Sequence, residues 1–296
     1  MKKFCFLFVL IFLLSVVAQS QTSKVCVWRD GTITHSITIA NIDSITFGEP
    51  PAPQLPEGML PGVFSIGDGI YANFSQGNLI YSNSTWSFAE HQYDYGSDFG
   101  WGSSGYNGVS PGWLTDDYTY YSCMGDNDIT GTNYDWGRYN AISNGGNQAG
   151  FWRTMTQGEW TYVFSKRANA AQLRSSARII NENNYALNGY VLLPDQWQLP
   201  SGLSFTPDAS SYATNSYTQE QWAEMEAAGA LFLRAQGFTK AGIGGGDYSR
   251  NWVGFYWSTS YYNTWSAYRF MFDESEAYVN YLARATGMSV RLIHEH

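Results

Sequence analysis

The feature that most constrains this chain is a long stretch without periodicity. From His91 to Gly150 the sequence shows neither the 3.6-residue spacing of an amphipathic helix nor sustained strand alternation. Gly, Asn, Asp and Ser fill it, interleaved with Trp101, Tyr106, Trp113, Tyr118, Tyr120, Tyr121, Tyr134 and Trp136. An irregular segment of that length is unusual in a compact domain and is often functional. Without helices of its own, such a stretch must bury some of these rings as its core and can present others to a ligand.

Short strands flank it. Val63–Ile66, Ile70–Phe74, Leu79–Tyr81 and Trp86–Phe88 precede it, punctuated by Gly67-Asp68-Gly69 and Gln76-Gly77-Asn78. After it come Gly254–Thr259, Ala267–Phe272, Ala277–Tyr281 and Met288–Ile293, the last with Met288, Val290 and Leu292 on one face. Two helices stand out between them. Thr156 with Glu159, and Thr218 with Gln221, have capping-box spacing. Trp160, Val163 and Phe164 then form one apolar face, and Trp222, Met225 and Gly229 another, with both Trp expected as core anchors. Few helices, many short strands and one long irregular region predict an α+β class.

The chain begins with Lys2, Lys3 and an apolar run from Phe4 to Val17, followed by Ala18-Gln19-Ser20. This is the three-part pattern of a secretory signal peptide over 1–20, too short to span a bilayer, which needs about 20 apolar residues. No Cys stands at the cleavage point, which disfavours a lipoprotein. Residues 21–48 read as a short β leader, with Asp30-Gly31 as a hairpin turn. Residues 49–60 form a Pro-rich linker, and 61–293 the main domain. No later segment is apolar and long enough to span a membrane as a helix.

Composition excludes further classes. Aromatic residues are 17% of the chain and charged residues 14%, against about 25% charged in an average protein. Disorder over most of the length does not fit so many rings. A formal charge of -9 and a pI near 4.8 argue against nucleic acid as a partner.

Several segments carry a resemblance. Phe74–Leu79, Trp86 through Tyr95, Phe99–Gly102, Asn140 through Asn147, Trp152 through Trp160, Val191 through Trp197, Tyr256–Ser260 and Ser289–Leu292 together resemble a group of exported Bacteroidetes proteins. Trp28–Gly31 and Ile42–Phe47 resemble the short leader that precedes varied domains in that group. The pattern is similar to the C-type-lectin-like fold, in the branch shared with formylglycine-generating enzymes and the major paralogous domains of Fibrobacter. Trp152-Arg153-Thr154-Met155-Thr156 through Glu159-Trp160 stands where that branch has its Arg-Leu-Pro-Thr-x-x-Glu-Trp motif. The resemblance implies the fold and says little of activity, since one fold hosts many functions.

The chemistry is read residue by residue. Oxidase chemistry of the formylglycine-generating type needs paired thiols, and Cys26 with Cys123 are the only two beyond the signal; they read either as one disulfide or as two separate thiols. Asp126-Asn127-Asp128-Ile129-Thr130-Gly131 begins like a calcium loop but has Gly137 where a bidentate Glu belongs, so calcium stays an open cofactor and no metal ligand is assigned. His35, His91, His294 and His296 lack zinc spacing, and the last two read as frayed terminal residues. Gly244-Gly245-Gly246 has no phosphate-loop Lys after it, and Glu274 and Glu276 read as a solvated turn or edge. No catalytic residue is therefore assigned. The expected contact surface is Trp113, Tyr118, Tyr120 and Tyr121, with Trp265 in a hairpin loop as a second element, while Trp101 and Trp136 are expected in the core. The sequence thus reads as a non-enzymatic exported module that binds glycan or protein at the cell surface or in the periplasm. An enzyme on the same fold, hydrolytic or oxidative, and a subunit of a surface assembly are the alternatives.

Overall fold

The structure is a computed structural model that describes residues 24–29, 31–39, 55–122, 124–240 and 249–296. The signal segment, Ile42–Phe47, Cys123 and Gly244–Gly246 lie outside the described residues. The chain divides into two compact units, Met1–Pro53 and Gln54–His296. In the first, β1 (Lys24–Arg29) and β2 (Thr32–Thr38) form an antiparallel hairpin turning at Gly31, whose φ of 77° needs no Cβ.

The second unit is α+β and mostly strand. Its first sheet joins the two ends of the unit. β3 (Met59–Gly67) pairs with β4 (Ile70–Ser75), β4 with the last strand β15 (Leu292–Glu295), and β15 with the two-residue β7 (Arg153–Thr154). β5 (Leu79–Ser82) and β6 (Thr85–Phe88) form a separate hairpin. A second sheet has the order β10 (Ser216–Thr218), β8 (Arg174–Ile180), β9 (Ala186–Leu192), β11 (Leu231–Arg234), with β10 parallel to β8. A third is the meander of β12 (Gly254–Asn263), β13 (Ser266–Phe272) and β14 (Ala277–Ala283).

Both expected helices form, and for the expected reason. Thr156 and Thr218 each accept an amide of their N3 residue, Glu159 or Gln221, whose side chain returns the bond. α2 (Gln157–Thr161) runs on into a π turn at Tyr162–Lys166, and α3 covers Gln219–Ala227; the earlier α1 is a single turn, Trp136–Tyr139. Trp160 and Trp222 are buried, as are Trp101, Trp136 and Trp257. Gly229 both ends α3 with a φ of 103° and lets the chain approach: a Cβ there would sit 2.8 Å from the Gly62 Cα.

At the C-terminus Met288, Val290 and Leu292 pack into one hydrophobic cluster, as expected of one face. Ser289 and Arg291 are buried as well, and the regular strand starts only at Leu292. Arg291 enters the core and donates to Asn78 Oδ1 (3.3 Å) and Gln92 Oε1 (3.0 Å). One expectation fails: His294 and His296 do not fray. His294 stacks on Phe151 at 4.0 Å and bonds its carbonyl, while His296 donates its amide to the Tyr71 carbonyl.

Arg291 also explains how the irregular region is held. Burial pushes its guanidinium down to about 10, and no carboxylate touches it directly. Gln92 passes the charge on, donating to Glu226 Oε2 (2.9 Å) and the Ala230 carbonyl and accepting the Phe232 amide. Four residues along the same loop, Gly96 exchanges two bonds with the Gln236 amide group, which also donates to Asp98. These bonds tie the loop to the buried Arg291, whose Nε has no partner among the described residues.

Candidate functional site

The rings expected to form a contact surface do not act as one group. Tyr121 is 0% exposed. Its ring lies on Gly100, where any Cβ would strike it, and its hydroxyl accepts the Leu114 amide. Tyr121 is therefore a core residue and not a contact residue. Tyr120 packs edge-on against it at 4.9 Å, half-buried, and accepts the Ser110 amide. Trp113 is half-buried too, resting on Gly287 and donating to the Ala285 carbonyl. Of these three rings Tyr121 is fully buried, and Trp113 and Tyr120 keep part of their surface accessible. Only Tyr118 (42% exposed) and Trp265 (53%) face solvent, and they meet edge to face at 6.1 Å.

Asp126 and Asp128 do not converge on a common point for a cation. Asp128 accepts the Tyr261 amide and Asp126 the Thr264 hydroxyl, so both tie their loop to the β12–β13 hairpin. Among the described residues no group of three His, Cys, Asp or Glu side chains is placed to hold a metal ion.

A cleft of about 430 Å³ gathers the most ionisable groups: Asp135, Arg138, Arg153, Glu159, His294 and Glu295. Burial pushes Asp135 up to about 7, against hydrogen bonds from the Thr154 hydroxyl and amide. A carboxyl tuned this way in a cleft is a standard mark of acid–base chemistry. Here, however, the groups engage one another. Arg153 forms a bidentate pair with Glu159 and donates twice to Glu295; Glu159 also closes the capping box of α2. Asp135 joins the α1 turn to β7 through Thr154. These residues hold the β7–β15 edge together and leave few groups directed at a ligand.

A second cleft, about 500 Å³, differs in kind. Trp252 lines it with 72% of its surface exposed, the most of any large apolar residue described, and Tyr185 lines it at 54%. Leaving a Trp that open forgoes on the order of 4 kcal/mol of burial. The backbone beneath is nonetheless fixed. The Trp252 amide donates to the Ser249 carbonyl, and its own carbonyl accepts the Tyr212 hydroxyl at 2.8 Å. Burial raises the Tyr212 phenol, so it remains a neutral donor. Asn251, at a φ of 66° that Asn tolerates, exchanges bonds with Asn188, Ala186 and Arg234. Tyr185 is set by a turn in which Asn181 Oδ1 accepts its amide. Across the cleft, Asp273 closes the β13–β14 turn by accepting the amides of Ser275 and Glu276, leaving the Glu274 side chain exposed. Behind this wall, Arg234 donates to the Tyr95 hydroxyl, and both Arg234 and Arg250 lie over the Tyr95 ring. The result is two open rings on hydrogen-bonded turns, with amide, hydroxyl, guanidinium and carboxylate groups at hand.

Sequence reasoning missed Trp252, Tyr185 and Asn251. The only local signal is an Asn-Trp pair just before a strand, which does not separate an exposed ring from a buried one. The chain matches no protein-family model, no curated protein and no solved structure.

Proposed function

We propose that the chain is an exported, non-enzymatic binding module of C-type-lectin-like fold, acting in the periplasm or at the cell surface, and that it takes a glycan in the Trp252–Tyr185 cleft. The observation that carries this reading is Trp252: an open ring on a backbone pinned by Tyr212, Ser249 and Asn251. Flat apolar rings stack on the C–H faces of sugars, and the polar groups of Asn188, Arg250 and Glu274 suit hydroxyls. The signal-like first twenty residues support export, and the quoted family resemblance supports the fold.

The test is a glycan array probed with the mature chain, followed by titration calorimetry on the sugars retained. Binding to at least one glycan class, lost in Trp252→Ala, is expected. An array without signal, together with a protein captured through the same cleft, overturns the glycan assignment.

A further inference from the structure

The third sheet carries a group of three tyrosines near its β12–β13 turn. Tyr268 on β13 lies directly opposite Tyr281 on β14, and the two rings meet edge-on, at 6.2 Å and 88°. Tyr268 meets Tyr262 of β12 in the same manner, at 5.5 Å and 87°. The β12–β13 ladder shifts register on either side of Tyr261, an irregularity of the kind that re-aims a side chain. β12 and β14 flank β13 and so run about 10 Å apart. Tyr262 and Tyr281 lean across that gap and stack face to face, with ring centroids 3.6 Å apart and planes 6° from parallel. Their hydroxyls hydrogen-bond each other, which holds the Tyr262 phenol above its ordinary range. Hydroxyl beside hydroxyl in a parallel stack sets the ortho carbons of one ring against those of the other.

The stack is open to solvent, with Tyr262 40% and Tyr281 42% exposed. Every other contact between two tyrosine rings among the described residues is edge-on, at angles from 66° to 88°. None of the three rings lines the Trp252 cleft. We propose that Tyr262 and Tyr281 form an oxidative modification site, at which a one-electron oxidant of the haem-peroxidase class, fed by hydrogen peroxide, joins the two rings as an intrachain dityrosine. Each phenol gives one electron to the oxidant and its hydroxyl proton to water. The unpaired spin of each phenoxyl radical is shared with its ortho carbons, and one such carbon from each ring couples across the stack. Each coupled carbon then loses its hydrogen as a proton, while its oxygen takes a proton back. Two C–H bonds break, one C–C bond forms, and one peroxide is reduced to two waters. Holding the partners in contact makes the coupling an intramolecular step, which favours it over encounters between chains. The exposed rings swing out of the stack into a biaryl as aromaticity returns. The link ties β12 to β14 across β13.

The test is oxidation of the full mature chain by a haem peroxidase at limiting hydrogen peroxide, with the monomer fraction isolated under denaturing conditions. Peptide mapping should find the Tyr262 and Tyr281 peptides joined with the loss of two hydrogens, as the most abundant intrachain tyrosine link. Dityrosine fluorescence of that fraction should fall several-fold in Tyr262→Phe and in Tyr281→Phe, which keep the rings, and should persist in Tyr106→Phe. A monomer fraction without the joined peptides, a Tyr262–Tyr281 link no more abundant than Tyr106–Tyr139, or fluorescence that survives both Phe variants overturns the proposal.

Discussion

The ring cluster from Trp113 to Tyr121 and the turn at Trp252 use aromatic residues in opposite ways. In the first, rings are dense and the backbone is irregular. Most of the rings pack inward, Tyr121 beneath Gly100 and Tyr120 on Tyr121, while Tyr118 stays exposed. In the second, rings are few and the backbone is hydrogen-bonded at Ser249, Asn251 and Trp252, yet the Trp252 ring stands in solvent. Density of rings therefore marks where a loop makes its own core. The ring proposed here as the contact ring is instead exposed on a hydrogen-bonded turn, and only the folded chain displays that.

The largest effect that would break this contrast is on stability. Tyr121→Ala removes a fully buried ring and the acceptor of the Leu114 amide, so it should cost about 3–5 kcal/mol in urea unfolding. Trp252→Ala should change stability by no more than about 0.5 kcal/mol. Similar losses for the two would mean that Trp252 is structural.

Asp135 is next. Its folded pKa, near 7, lies above its ordinary value of 3.8, so the folded state binds the proton more tightly. Its contribution is fully present below the ordinary value and declines as pH rises from about 4 to 7. Asp135→Asn should remove a decline of roughly a few kcal/mol across that window. Unfolding curves between pH 4 and pH 8 with the same slope in both proteins would show that Asp135 is ionised throughout. Smaller again is the cap of α2. Thr156→Ala should cost about 1 kcal/mol, and Thr156→Ser should restore most of it, as read from thermal midpoints. The smallest effect is expected at the exposed pair. Trp265→Ala and Tyr118→Ala should each shift stability by less than about 0.5 kcal/mol.

Much of the scaffold could be read in advance. Thr156 and Thr218 signal helix starts because the capping box is local chemistry, complete within four residues. Trp160, Trp222 and Trp257 could be placed in the core because they recur on apolar faces of regular elements. The burial of Arg291 could not be read from its neighbours in the sequence. Its partners Asn78 and Gln92 are some two hundred residues away, and only the closed sheet brings them together. The order of His294 and His296 is hidden for the same reason, since their partners, Phe151 in the bend before β7 and Tyr71 on β4, are far away in sequence. The site was the least legible part. Trp252 is exposed because Tyr212, Asn188 and Arg234 fix the turn around it, and none of those contacts is local.

The direct test of the central contrast is side-by-side binding of Trp252→Ala and Trp265→Ala to the glycans retained by the unaltered mature chain, with unfolding curves for each. The account predicts that both variants stay folded, that Trp252→Ala loses binding, and that Trp265→Ala keeps it. Loss of binding in Trp265→Ala with full retention in Trp252→Ala would contradict it.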